Sequence, residues 1–155
     1  MRALLSAVVL AALTGAAGAA PEVKFGDSSE FADFGDSVLE RERNEKELTA
    51  FLIKLGQRLP AGQQLRFEVK DINLAGELEW LFGHTQRLRV MRNATLPYLE
   101  FSYVLSESGK RVREETVQLR ELDYLNSVPA RWRNESLGYE KAMLERWFVR
   151  TFKAR

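Results

Sequence analysis

Gln64-Leu65-Arg66-Phe67-Glu68-Val69-Lys70-Asp71-Ile72 is the stretch that decides the fold. Leu65, Phe67 and Val69 alternate with Arg66, Glu68 and Lys70, the period-2 pattern of a strand with one face buried and the other in water. Such a strand needs neighbours. Residues 98–105 alternate in the same way, with Leu99, Phe101, Tyr103 and Leu105 on one face, and Pro97 stands just before them, where a missing N–H is tolerated. Ser106-Glu107-Ser108-Gly109-Lys110 reads as a turn, and 112–119 as the returning strand of a hairpin. The weaker inward face of that strand marks it as an edge. Residues 22–25 and 88–91 read as two further short strands, with a loop through Leu74-Ala75-Gly76 and the apolar patch Trp80-Leu81-Phe82-Gly83 between them and the long pair.

Two segments have helical spacing. Over 38–57, Leu48, Phe51, Leu52, Leu55 and Leu59 fall at offsets of three and four, and Gly56 and Pro60 punctuate the end. Over 139–152, Tyr139, Met143, Leu144, Trp147, Phe148 and Phe152 spread over about 220° of the helical wheel. One sheet face cannot cover so wide an arc, so this helix is either wedged between two surfaces or partly open to a partner. Residues 26–37 read as loop with one turn, and 126–138 as irregular. The expected architecture is α+β: a mainly antiparallel sheet of four or five strands with two helices packed on one face.

With 45% hydrophobic and 29% charged residues among 155, the chain can fill a core, and a formal net charge of +1 gives no basic field for nucleic acid. The absence of cysteine excludes disulfides, thiolate chemistry and Cys-ligated metal, and a single His excludes multi-histidine metal sites. No cofactor or metal is therefore expected. Residues 1–19 carry one cation, Arg2, then an apolar run, and end on Ala17-Gly18-Ala19 before Ala20-Pro21. The apolar run is about ten residues, half of the roughly 20 that span a bilayer. It reads as a signal peptide cleaved after Ala19 or Ala20, leaving 20–155 as a single globular domain in the periplasm with no transmembrane segment.

Few residues suggest chemistry. Phe34-Gly35-Asp36-Ser37-Val38 resembles the Gly-Asp-Ser block of a lipase and esterase family in which the serine is the nucleophile, but the Asp-x-x-His block of that family is missing and His84 lies mid-chain. Ser37 and Glu40 alternatively form a helix capping box. Asp27, Glu30, Asp33, Asp36 and Glu40 crowd one region without the spacing of a calcium loop. Asp71 has two readings. Continued alternation turns it inward, where it needs a cationic fork such as Arg41, Arg43, Arg89 or Arg92; otherwise the strand ends at Val69 and Asp71 opens a polar turn with Asn73. Asp71, Arg41 and Arg92 are the polar binding candidates. The cations Arg146 and Arg150 interleaved with Trp147, Phe148 and Phe152 fit either core packing or a membrane-surface helix.

Several blocks in order resemble the exported bacterial family known as domain of unknown function 3016. They are Phe31-Ala32-Asp33-Phe34-Gly35-Asp36-Ser37 with Arg41-Glu42-Arg43, Leu59-Pro60-Ala61-Gly62-Gln63, Glu68-Val69-Lys70-Asp71-Ile72-Asn73-Leu74-Ala75-Gly76, Arg89-Val90-Met91-Arg92, and Tyr139 to Leu144 with Trp147-Phe148. In the family pattern the position of Asn73 is commonly a second aspartate, a departure that weakens a paired-carboxylate site here. The resemblance implies export and no assigned activity. The functional expectation is a non-enzymatic domain that binds an envelope protein or periplasmic ligand, with the last helix and the Trp80-Leu81-Phe82 patch as contact surfaces. The alternative is a periplasmic hydrolase using Ser37 or a carboxylate site near Asp71.

Overall fold

A computed structural model describes residues 21–153; the expected signal peptide, 1–19, lies outside them. The elements are β1 (Glu22–Phe25), α1 (Val38–Gly56), β2 (Gln63–Asn73), β3 (Glu77–Glu79), β4 (Leu88–Val90), β5 (Tyr98–Glu107), β6 (Lys110–Arg120), α2 (Tyr124–Ser127), α3 (Ala130–Arg133) and α4 (Gly138–Phe152). The α+β reading holds, with one correction: the four-stranded sheet, in the order β1-β2-β5-β6, is mixed, because β1 runs parallel to β2. Four residues carry no signal of strand direction. A parallel neighbour requires a long crossover, and α1 with its flanking loops supplies it. β3 and β4 form a separate two-stranded sheet. Glu77-Leu78-Glu79 is too short for alternation to show, so β3 was not expected. Likewise α2 and α3 fall partly or wholly in the segment that reads as irregular.

The β5 and β6 hairpin closes on Ser108 and Gly109, both with positive φ (49° and 78°), the tight two-residue turn that matches strand twist. Leu65, Phe67, Val69, Leu99, Phe101, Tyr103 and Leu105 line the inner sheet face, each buried, and α1 covers it with Leu48, Leu52 and Leu55. The start of α1 carries the expected serine cap, with Ser37 Oγ accepting the Glu40 N–H at 3.1 Å, but Glu40 Oε2 reaches one residue beyond the box and accepts the Asp36 N–H at 2.9 Å in place of that of Ser37.

The breadth of the apolar arc on α4 is explained by wedging. Trp147 sits edge-on to Phe101 (4.8 Å), Tyr103 (5.3 Å) and Phe67 (6.2 Å) on the sheet, while Tyr139 and Ala142 pack in a second cluster with Tyr124, Val128 and Trp132. Toward α1, Lys141 Nζ donates to Glu47 Oε1 at 2.5 Å, and Phe51 of α1 meets Trp132 of α3 edge-on at 5.7 Å. The helix lies too close to α3 to carry any side chain at Gly138, whose Cβ would strike the Trp132 carbonyl. Phe148 is fully buried. No helix among the described residues is long and apolar enough to cross a membrane.

Candidate functional site

A bulge in β2 sets the site. Val69 pairs with Phe101 and Asp71 with Glu100, which leaves Lys70 as an extra residue and reverses the parity of the strand beyond it. Ile72 takes the next inward place and is fully buried. Both readings of Asp71 are thereby corrected: the strand continues through Asn73, and the carboxylate does not enter the core. It turns outward, where Oδ1 accepts the N–H of Ala32 at 2.9 Å. Asp33 N–H to Ile72 O and Leu74 N–H to Asp33 O, both 3.0 Å, then lay the loop after β1 alongside the end of β2 as a parallel bridge.

The arginine fork expected near Asp71 serves Asp33 instead. Arg89 Nη1 and Nη2 donate to Asp33 Oδ2 and Oδ1 at 2.8 and 3.0 Å, a bidentate pair only about a fifth exposed (18% and 21%). Arg89 also reaches toward the carbonyls of Gly76 (3.4 Å) and Ala75 (3.5 Å). The N–H of Ala75 goes the other way, to Glu140 Oε1 at 2.7 Å. Glu140 is buried, and that burial raises its carboxyl above the ordinary 4.5 against the lowering effect of the Ala75 hydrogen bond. Asp33, Arg89 and Glu140 thus tie the loop, β4 and α4 to one turn. Gly76 in that turn has φ +78°, and a Cβ there would lie 2.7 Å from both Met91 Sδ and Val90 O, so the hairpin closes onto it only because it is glycine.

Over this tie lies an open polar groove of about 670 Å³, lined among others by Asp33, Asp36, Arg41, Asn73, Arg87 and Arg120. Past Asn73 and Arg120 it adjoins a hollow of about 420 Å³ reached by Asp71, Pro97 and Tyr98. Its charges are unequally matched. Arg89 is neutralised by Asp33, and Arg87 by Asp36, which takes its Nε at 3.1 Å and its Nη2 closer still. Arg41 donates only to the Gly35 carbonyl, at 3.2 Å, and Arg120 stacks its guanidinium 4.7 Å from the centre of the Tyr98 ring. Neither has a carboxylate within ion-pair distance among the described residues. Tyr98 in turn donates to Glu100 at 2.6 Å, which pushes its hydroxyl up to about 12.

Of the three binding candidates, Arg41 and Asp71 come to the groove and its hollow. Arg92 does not: it is held on the hairpin by Glu79, with Nε and Nη2 at 2.8 and 2.6 Å from the two carboxylate oxygens. The acidic cluster is dispersed into separate engagements, with Asp27 capping Ser29 at 2.9 Å, and no group of three or more acids or His is placed for a metal among the described residues. His84 is exposed in the loop between β3 and β4. Arg120 and Glu140 were missed, and Asp33 was read only as one of the acidic cluster. Arg120 gives no sequence signal, since its place depends on the end of a strand register. Glu140 does give one: with Met143, Leu144 and Trp147 it completes an apolar stripe at offsets three, four and seven, where a carboxylate must be buried.

The blocks that carry the family resemblance converge here, for Phe31 to Asp36, Arg41, Asn73 and Gly76 all line the groove. Comparison with curated proteins and with solved structures gives no match. The family model described as protein of unknown function (DUF3016) matches residues 19–150, and the chain belongs to that family.

Proposed function

We propose that the chain is exported to the periplasm and there binds a small anionic ligand in the groove, holding it without transforming it. The observation that carries this reading is the pair of guanidinium groups, Arg41 and Arg120, with no carboxylate at ion-pair distance among the described residues, in a groove whose third arginine, Arg87, is neutralised; Asp27 feels the charge of Arg41 from further off, and Glu77 stands on the same wall. Planar forks of this kind favour carboxylate and phosphate oxygens, and the groove volume lies in the range of small-molecule sites. A hydrolase finds less support, because Ser37 Oγ is engaged as a cap and Asp71 Oδ1 holds the Ala32 N–H.

Titration of the purified protein with citrate and with inorganic phosphate, followed by thermal shift at constant ionic strength, tests the binding. Stabilisation by either anion that disappears in the R41Q/R120Q variant, whose ligand-free melting is unchanged, is the expected result. No stabilisation of the wild type, or equal stabilisation of the variant, overturns it. Osmotic-shock release of a form whose N-terminus is Ala20 or Pro21 tests the export separately.

A further inference from the structure

The hairpin of β3 and β4 is held firmly at its base and bare at its tip. Arg87 and Arg89 bind Asp36 and Asp33, and Gly76 seats Met91, so the two short strands are fixed to the body of the molecule, while Arg92 and Glu79 clasp the hairpin to itself. In the connecting loop Trp80 is 70% exposed and Phe82 fully exposed, with Leu81 between them. The N–H of His84 closes the turn on Leu81 O at 3.1 Å, and nothing lies within 4 Å of a Cβ placed on Gly83. This is a protruding convex turn and not a face. Three consecutive side chains on such a turn offer far less than the roughly 800 Å² per partner that a stable protein interface buries. A bilayer interface needs no complementary pocket, and it takes Trp and Phe at the level of the headgroups.

The charges agree. From Trp80 to Leu99 the sequence has three arginines and one histidine and no Asp or Glu. Of the acids around it, Asp36, Asp33 and the hairpin's own Glu79 are each bound by one of those arginines, and Glu40 and Glu42 of α1, across the hollow beside Gln86 and Leu88, share it with Arg43 and Lys46. An anionic leaflet approaching the tip therefore meets His84 first, with the ion pairs and Glu42 of α1 beside the strands, and Glu77 set back at the far end of β3, opposite Val90. The C-terminal helix, the other membrane candidate in the sequence, has Phe148 in the core and Trp147 against the sheet.

We propose that Trp80-Leu81-Phe82 is a shallow membrane anchor that dips into the interface of an anionic phospholipid bilayer. It stands independently of the groove. Sedimentation of the purified protein with vesicles of phosphatidylethanolamine and phosphatidylglycerol tests it, using W80S/F82S, in which both replaced side chains are solvent-exposed and the urea midpoint serves as the control for folding. The expected result is binding by the wild type that falls about tenfold or more in the variant, together with quenching of wild-type tryptophan fluorescence by lipids brominated near the headgroup. Absence of wild-type binding, or equal binding by the variant, overturns the proposal. So does photocrosslinking from position 82 that in whole cells captures a protein in place of lipid.

Discussion

Removing the Asp33/Arg89 pair has an effect that can be worked out from its surroundings. The variants are Asp33→Asn, which keeps an oxygen for the Gly35 N–H now held at 3.3 Å, Arg89→Met, which keeps the apolar stem, and the two combined. A fully exposed ion pair is worth about 0–1 kcal/mol, and breaking a fully buried one costs about 3–5 kcal/mol. At 18% and 21% exposure, with two hydrogen bonds of 2.8 and 3.0 Å, this pair stands nearer the buried limit. Each single variant should lose about 2–3 kcal/mol, since each leaves a mostly desolvated charge without its partner. The double variant should lose less than the sum of the two, by about 1.5 kcal/mol. Urea unfolding followed by tryptophan fluorescence reads the difference directly, because Trp147 packs 4.8 Å from Phe101 in the core. With a slope of about 1–3 kcal/mol per molar urea, single variants shift the midpoint by about 0.7–3 M. Additive losses, with a coupling energy below about 0.3 kcal/mol, would refute the idea that the pair acts as one unit in joining the loop to β4.

Two other perturbations test the site from different sides. Because burial raises Glu140, its stabilising neutral form is fully present below the ordinary 4.5 and is lost as pH rises through the raised folded value; Glu140→Gln, which keeps an acceptor for Ala75, should therefore gain on the wild type as pH increases, and a melting-temperature difference that is flat from about pH 4 to about 8 counts against it. Deleting Lys70 removes the bulge residue but leaves Asp71 opposite Glu100 and Ile72 opposite Leu99 in plain alternation, so the variant should still unfold cooperatively by circular dichroism, and loss of the cooperative transition counts against the bulge reading; Lys70→Ala, on an exposed position, should change stability by less than about 0.5 kcal/mol.

Much of the fold was legible because its long strands are half-buried: Leu65, Phe67 and Val69, and then Leu99 through Leu105, show period 2 to the residue. The helices were legible for the same reason at their own spacing. What the pattern could not show is whatever depends on a partner. The parity break at Lys70 exists only in the register against β5, so neither reading of Asp71, inward or in a polar turn, could foresee a strand that continues with the carboxylate outward, although the pattern was correct up to Val69. The direction of β1 depends on where α1 returns the chain. The site was legible only in part, since Asp33 and Arg89 stand 56 positions apart and Ala75 and Glu140 stand 65 apart. Their residue types invited a salt bridge. Which acid met which arginine was decided by the bulge.

The placement of α4 bears on the order in which the molecule folds. Its contacts are among the most remote in sequence: Lys141 meets Glu47 across 94 positions and Arg58 meets Glu145 across 87. The sheet can form its antiparallel pairs before α4 arrives, but Phe67, Phe101 and Tyr103 then face water on their inner side until Trp147 covers them. Closing loops of that length makes the last step slow. A chain stopped short of α4 exposes a flat aromatic surface suited to self-association, so the solubility of the whole sheet rests on its final helix.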